Sequence, residues 1–479
     1  MKNQVFNPYL PSWEYVPDGE PYVFDNRVFV YGSHDHFNHM AYCANDYVCW
    51  SAPVDDLSDW RCDGVMYRKE QEPFSGDGQK QLWAPDVQRG KDGRYYLYYS
   101  ALFEGWIGVA VSELPQGPYE FYGHIQYKDG TTAGINQDDV FLFDPAVLLD
   151  DDGRVFLYSG FAPAKEFPLP EGLKHEGGYV LELEPDMITI KKGPELIIPM
   201  SGKSVGTGFT GHEFYEASSI RKINDTYYLV YSSIQGHELC YAVSNYPDKN
   251  FCYGGTIISN GDIGYQGRRE EDRLNYTANN HGGLVNIRGQ WYIFYHRHTN
   301  FQQTSRQGCA EKVVIRQDGI IPQVEITSCG LNGGVLEGKG TYEARIACNL
   351  KAKEGAIEYP YYSEPADRMG HPYITQNGGD RERNGDQYIA NMRDGSMAGF
   401  KYFDLSGTTH ISVKVRGNAE GKIIVTSGDD GNTIAEIQVK ESSIYCDYEA
   451  EIKPSQSKSA LYFTFKGRGS LDFYSFTLN

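Results

Sequence analysis

Arg94-Tyr-Tyr-Leu-Tyr-Tyr-Ser100 is an unbroken aromatic strand that closes on one small polar residue, and the chain repeats this design four more times. The other copies are Arg27-Val-Phe-Val-Tyr-Gly-Ser33, Arg154-Val-Phe-Leu-Tyr-Ser159, Thr226-Tyr-Tyr-Leu-Val-Tyr-Ser232 and Gln290-Trp-Tyr-Ile-Phe-Tyr-His296. Each follows a turn pair: Asp25-Asn26, Asp92-Gly93, Asp152-Gly153, Asn224-Asp225 or Arg288-Gly289. Asn, Asp and Gly tolerate the positive φ of tight two-residue turns, so each pair predicts a β-hairpin.

Counting back from the last residue of each copy reaches Asp18, Asp86, Asp144, Glu216 and His281, always 14 to 16 residues earlier. Every hairpin therefore opens with a titratable residue. The spacings between the five are 68, 58, 72 and 65 residues, and the pattern ends near residue 330. Such units, followed by further strands such as Ile107-Gly-Val-Ala-Val111 and Leu239-Cys-Tyr-Ala-Val243, predict a five-bladed β-propeller. With the first strand of each hairpin innermost, the five residues would ring one mouth of the central channel. The acidic run at Asp150, Asp151 and Asp152 is ordinary turn chemistry ahead of Gly153.

Composition agrees with an all-β chain. Of 479 residues, 53 are glycine and 38 tyrosine, a mixture that favours short strands and many turns. The formal charge of -20 disfavours a partner held through phosphates, so no nucleic acid is expected. No apolar run is long enough to span a membrane, and the N-terminus lacks the pattern of a secretion signal. The nine cysteines are odd in number, scattered and never spaced as CxxC, which predicts reduced thiols and a cytoplasmic location.

Several carboxylates around one cleft, without a phosphate loop, suit acid/base work on a glycosidic bond. One must stay ionised to activate water, and another must stay protonated to serve the leaving oxygen. Glu216 has the longer reach and is the candidate acid, while a shorter Asp across the ring suits the base of an inverting enzyme, with carboxyls ~6.5–9.5 Å apart. Metal-assisted hydrolysis is the competing use of such a set, although the His-pair spacing of metalloproteases is absent. Trp83, three residues before Asp86, is a candidate flat wall for a sugar.

Pro17-Asp18-Gly-Glu-Pro21, Leu82-Trp-Ala-Pro-Asp86, Phe143-Asp-Pro-Ala-Val147, Phe214-Tyr-Glu-Ala-Ser-Ser219 and Asn280-His-Gly282 resemble, in order, the motifs of glycoside hydrolase family 43. The resemblance runs from about Asn7 to about Gln317. It implies a five-bladed propeller and inverting arabinofuranosidase, xylosidase or arabinanase activity. It also implies Asp18 as general base, Asp144 as the Asp that orients the acid and tunes its pKa, and Glu216 as general acid. His281 resembles the family's axial histidine, which stands beside a calcium ion or water, and Arg306 resembles the arginine that contacts the sugar. Glu20 and Glu213 are neighbouring carboxylates that the repeat offset sets aside in favour of Asp18 and Glu216.

Residues 1–330 are thus expected to form the propeller and 331–479 a second all-β domain. In the latter, His410-Ile-Ser-Val-Lys-Val-Arg416, Lys422-Ile-Ile-Val-Thr426 and Ala460-Leu-Tyr-Phe-Thr-Phe465 predict a β-sandwich of jelly-roll type. Tyr342-Glu-Ala344, Gly399-Phe-Lys-Tyr-Phe-Asp-Leu-Ser406 and Leu471-Asp-Phe-Tyr-Ser-Phe476 resemble carbohydrate-binding module family 6. That resemblance implies Glu343 and Asp472 as ligands of a structural calcium, against a plain structural role, since Arg345 stands where a second acid would be expected. Two functions of the domain stay open: binding polysaccharide, or walling the catalytic cleft.

The expected function is an exo-acting, inverting glycosidase that releases α-L-arabinofuranosyl residues, and β-D-xylosyl residues as a second activity, from arabinoxylan-derived oligosaccharides. A dedicated β-xylosidase and a non-catalytic carbohydrate-binding protein are the alternatives. Oligomeric state is left open.

Overall fold

The computed structural model describes residues 4–75, 78–101, 104–163, 167, 169–382, 386–428, 431–453 and 457–479. Among them, every element longer than a three-residue 3-10 turn is a strand, and none is a helix able to cross a membrane. The chain is all-β.

Four antiparallel four-stranded sheets and one three-stranded sheet follow one another, each a meander in chain order. The first comprises β1 (Glu20–Phe24), β2 (Arg27–Tyr31), β3 (Tyr47–Pro53) and β4 (Arg61–Tyr67). The second comprises β5 (Leu82–Arg89), β6 (Tyr95–Ala101), β7 (Ile107–Ser112) and β8 (Glu120–His124). The third comprises β9 (Ala146–Leu149), β10 (Val155–Ser159), β11 (Gly177–Leu183) and β12 (Ile190–Pro199). The fourth comprises β13 (Phe214–Ile223), β14 (Thr226–Ser233), β15 (Glu238–Ser244) and β16 (Cys252–Ser259), and the fifth β17 (Leu284–Ile287), β18 (Gln290–His298) and β19 (Arg306–Val313).

The repeated aromatic strands are β2, β6, β10, β14 and β18, each second in its sheet and each buried on both faces. Their side chains fill the spaces between neighbouring sheets, which is why alternation is missing from their sequences. Tyr31 and Leu97 join the first and second sheets. Tyr98 and Leu157 join the second and third, Tyr158 and Leu229 the third and fourth, and Val230 and Ile293 the fourth and fifth. Val30 and Phe294 then join the fifth to the first, so the sheets close into a ring. First strands face the centre: β1 touches β5 and β17, and β9 touches β5 and β13.

The hairpin turns divide into two kinds. Asp25-Asn26, Asn224-Asp225 and Arg288-Gly289 are the expected two-residue loops. The loops carrying Asp92-Gly93 and Asp152-Gly153 are longer, because Gly90 N–H bonds Arg94 O and Asp150 N–H bonds Arg154 O beyond the strand ends. In both, the Asp side chain also accepts the backbone N–H two residues on, an Asx turn that makes the extra residues self-supporting.

Among the described residues the fifth sheet has three strands, and the N-terminal segment covers its β19 edge. Asn7 does so with one side chain: its Oδ1 accepts Ala310 N–H at 3.0 Å, while its Nδ2 donates to Ala310 O, Thr327 O and Glu311 Oε1 at 2.8–3.0 Å. Tyr9 N–H bonds Gly308 O further along the same strand.

Beyond the ring, two six-stranded sheets pack their inner faces on one core containing Phe400, Phe463, Phe473 and Phe476. The segments 410–416, 422–426 and 460–465 all lie in its strands, as expected. This core also takes in Tyr276, Ala278 and Phe301 from the ring. Buried Lys401 crosses the junction to Asp262 at 3.1 Å and Glu325 at 2.7 Å.

Asn7→Ala strands a buried backbone N–H, two carbonyls and a carboxylate oxygen. Urea unfolding is expected to show a loss of about 2–4 kcal/mol.

Candidate active site

One pocket opens where the first strands converge, lined by Asp18, Trp83, Asp144, Glu216, His281 and Arg306, together with Tyr42, Ala84, Phe143 and Asn279. Four of the five residues expected to ring one mouth, Asp18, Asp144, Glu216 and His281, do meet. What brings them there is an unusual backbone. Asp18, Ala84, Asp144 and Ala217 all have positive φ, at 56°, 36°, 48° and 68°. For L-residues the left-handed region costs about 1–2 kcal/mol each, so something must hold it.

A polar group on the preceding sheet holds each one. His296 Nδ1 accepts the Asp18 amide at 3.3 Å, Ser33 Oγ accepts Ala84 at 2.8 Å, and Ser100 Oγ accepts Asp144 at 3.4 Å. Asp144 Oδ2 in turn accepts Ala217 at 3.1 Å. The polar residue that ends three of the aromatic strands thus fastens the pocket residue of the next sheet. Asn279 O takes the His296 Nε2 proton at 3.0 Å, which sets the tautomer and leaves Nδ1 as acceptor. Gly282, after His281, is needed for close approach, since a Cβ there would lie 1.9 Å from Phe294 O.

Asp86 does not join the ring of pocket residues. Ser100, which ends the aromatic strand, pairs across the sheet with Trp83, and Asp86 pairs with Tyr98 two positions lower; Glu216 pairs with the equivalent terminal residue, Ser232. Two residues along a strand keep the same face but move about 6.6 Å along the channel. Asp86 accordingly sits beneath the pocket, accepting Tyr22 Oη at 2.7 Å and Val147 N–H at 2.6 Å. Glu20, which pairs with Tyr31, occupies the matching position in the first sheet and bonds Arg221 at 2.6 Å and Ser219 at 2.8 Å. Glu20 therefore belongs to the lower layer, and Asp18 to the pocket. Glu213 also lies outside the pocket, bonded to Ser204 and Gly211 N–H.

The pocket carboxylates differ in electrostatic setting. Burial alone would raise Asp18, but the Arg306 guanidinium, with Nη1 at 2.8 Å, holds it well below the ordinary carboxylate range. Burial pushes Glu216 up to about 8, helped by the negative charge of Asp18 and only partly opposed by Arg306. Burial also drives Asp144 well above its usual value, together with Glu216 and Asp18. With Asp18 ionised, the Asp144–Glu216 pair retains a proton near neutral pH. Burial depresses His281 to about 4, so its ring is neutral, with Nδ1 3.5 Å from Asp144 Oδ2.

Asp35 and Asn279 carry no signal in the repeat. Asp35 is wholly buried and takes Arg306 at both ends of the guanidinium, with Nε and Nη2 each at 2.9 Å, and the Arg306 amide at 3.0 Å. The plane of Arg306 is further covered by Tyr42, 4.6 Å away. Trp83 is half-buried and meets Tyr42 and Phe143 edge-on at 5.6 and 5.5 Å.

The expected calcium ligands of the second unit are each engaged by an arginine. Glu343 pairs with Arg345 at 2.5 Å and Asp472 with Arg416 at 3.0 Å, so a guanidinium already neutralises each carboxylate. Calcium takes six to eight oxygen donors, and His281 supplies a single nitrogen. Among the described residues, His212, Glu238 and Cys240 are the one group compact enough to hold an ion. There Glu238 is satisfied by His212, Ser233 and Thr256 at 2.6–2.8 Å, as a buried ion pair would be.

Comparison with known proteins places this geometry. The sequence model of glycosyl hydrolases family 43 matches residues 22–321. A xylosidase/arabinosidase of Thermoclostridium stercorarium is 50% identical over 481 residues, covering all of this chain and 99% of its own. An arabinoxylan arabinofuranohydrolase of Paenibacillus polymyxa is 25% identical across 98% of this chain and 74% of its own. Among solved structures, a family 43 β-xylosidase/α-arabinofuranosidase from a compost metagenome, described with xylotriose in a calcium-free form, aligns with TM-score 0.50 at 26% identity. It covers 66% of this chain and 96% of its own. A Bacillus subtilis arabinoxylan arabinofuranohydrolase with cellotetraose shares the fold over 99% of this chain and 97% of its own, at TM-score 0.51 and 21% identity.

Arg306→Ala leaves Asp18 and Asp35 buried without their counter-charge. The expected loss is about 3–5 kcal/mol in urea unfolding, whereas Arg306→Lys, which keeps the charge but not the fork, is expected to lose less.

Proposed function

The chain belongs to glycosyl hydrolases family 43 and is a glycoside hydrolase, and on that premise we propose that it is an inverting exo-glycosidase releasing α-L-arabinofuranosyl residues, with β-D-xylosyl release second, from arabinoxylan-derived oligosaccharides. The single observation that carries the reading is the split in carboxylate character within one pocket: Asp18 ionised beside Arg306, Glu216 pushed up to about 8. Relatives named for xylosidase and arabinosidase activity support the substrate class. The closed ring of five sheets supports the reading of residues 1–330 as a five-bladed β-propeller, and the shared core of the two later sheets that of 331–479 as a β-sandwich of carbohydrate-binding-module type. Nine free thiols suit a reducing, cytoplasmic setting.

In this reading the pocket takes the terminal sugar, with Trp83 as its flat wall. Asp18 removes a proton from water as that oxygen attacks the anomeric carbon. Glu216 gives its proton to the glycosidic oxygen as the bond to the leaving sugar breaks. Asp144 holds the Ala217 amide, fixes the backbone that carries Glu216 and, buried beside it, tunes its pKa. Arg306 keeps Asp18 ionised and aimed. The Asp144–Glu216 pair holds one proton before reaction; once Glu216 has given it to the leaving oxygen, Glu216 takes up a proton from solvent and Asp18 releases to solvent the proton it took from water, which resets the site. A calcium ion near His281 would draw its other donors from water; chelation that lowers the melting temperature of the wild type and not of His281→Ala would identify it.

The sign of the pH dependence follows from the two roles. The acid must be protonated, so kcat/KM falls about tenfold per pH unit above about 8, the value of Glu216. The base must be ionised, and its limb lies below the ordinary carboxylate range, so the profile stays flat down through pH 5. Glu216→Ala is expected to abolish hydrolysis of substrates with poor leaving groups while sugar binding persists. Asp18→Asn should remove turnover whatever the leaving group. NMR of the first-formed anomer reads inversion directly, and a retained configuration would refute it.

p-Nitrophenyl α-L-arabinofuranoside and β-D-xyloside, assayed side by side, separate the sugar preferences. Faster turnover of the arabinoside is expected. A faster xyloside makes the protein a β-xylosidase first, and silence on both points to an endo-acting arabinanase or to a carbohydrate-binding protein.

A further inference from the structure

A second concavity of about 390 Å³ adjoins the pocket and shares Asn279 with it. Tyr215, the residue before Glu216, forms one side, backed by Phe161 and Phe167 in a row of rings with centroids 5.4 Å apart. The lining also includes Glu358, which belongs to the second unit. The charge of Glu358 acts on the Tyr215 phenol across the gap.

Residues 357–361 are fastened to the ring. Thr277 N–H bonds Ile357 O at 3.3 Å, and Tyr359 N–H bonds Thr277 O at 2.8 Å, so this segment pairs with the stretch that leads to Asn279 and His281. Gln303 N–H reaches Pro360 O and Tyr361 O at 3.1 and 3.2 Å, and its Nε2 reaches Tyr359 O at 2.8 Å. The Oε1 of the same side chain accepts Tyr42 Oη from the pocket wall at 2.7 Å. Tyr361 then meets Tyr42 edge-on at 5.2 Å and remains 53% exposed at the rim.

The general acid must sit beside the leaving oxygen, so the rest of the substrate leaves the pocket on the Glu216 side. That flank holds the cleft. Its aromatic side offers flat faces, and Gln235 and Glu358 offer hydrogen-bonding groups matched to hydroxyls. Glu270 and Glu358 against one Arg273, itself bonded to Glu270 at 2.6 Å, disfavour an acidic chain.

We propose that this cleft holds the neutral xylosyl residues of the leaving group and that the second unit, through Glu358, is one of its walls. The inference deepens the glycosidase reading and rests on it. The second unit thereby acts in substrate selection at the catalytic cleft.

The test uses the full-length chain. In Glu358→Ala, the ratio of kcat/KM for an arabinosylated xylotriose to kcat/KM for the aryl arabinoside is expected to fall about tenfold, with Glu358→Gln restoring most of it. Inhibition by L-arabinose, which fills the pocket alone, reports whether the pocket is intact. Equal losses on both substrates, or no loss on either, would overturn the proposal. Calorimetry with xylotriose separates this from the wider reading. In the Glu216→Ala background, adding Glu358→Ala should weaken binding about tenfold even if the enzyme turns over neither substrate, and unchanged binding would overturn the cleft assignment by itself.

Discussion

Five sheets close into a ring only if their entrances fit together, and here the fit is made by hydrogen bonds from the end of one sheet to the backbone at the mouth of the next. His296 to Asp18, Ser33 to Ala84, Ser100 to Asp144 and Asp144 to Ala217 are four versions of one contact. Each holds a left-handed residue that would otherwise relax. The turn in the chain at those residues aims Asp18, Asp144 and Glu216 into the pocket. Geometry of the site and closure of the ring are therefore parts of one network, and a polar residue that looks like a strand terminus is a positioning group.

On this scaffold a single cation divides the carboxylates. Arg306 is held by Asp35 along one edge and reaches Asp18 with its remaining nitrogen, so its charge is committed to the first sheet's side of the pocket. Asp144 and Glu216 have no comparable partner and lie deep enough that ionising both would be costly. Two carboxyl types in similar burial thus come to opposite protonation through one buried guanidinium. The lower layer repeats the economy: Arg221 serves Glu20 while Asp86 is satisfied by Tyr22 and backbone amides.

The second unit is joined to the ring through its core as well as its surface. Tyr276, Ala278 and Phe301 pack among its residues, and Lys401 is buried between Asp262 and Glu325. Its loops meet the ring close to the pocket: Asp380 accepts Phe37 N–H at 2.8 Å and Asn45 at 3.0 Å, on the loop that also carries Asp35 and Tyr42. The second unit is thus docked firmly beside the pocket.

The repeat made the hairpins, their number and four of the five ring residues legible from the chain alone, because strands buried on both faces are long apolar runs and turn chemistry is local. Trp83 followed from proximity to the same pattern, while Arg306 was legible only through family resemblance. Asp86 was misplaced because counting along the chain does not show that it pairs with Tyr98 and not with Ser100, and register is a property of two strands rather than one. That Glu343 and Asp472 face arginines was not legible, because a sequence displays acids without showing what folds against them. Asp35, Asn279 and Glu358 had no local signature at all. Local order, set by periodicity and turns, was determined by the sequence itself; which charge faces which, and which unit walls the cleft, was decided only in three dimensions, where contacts between residues hundreds of positions apart set pKa and shape.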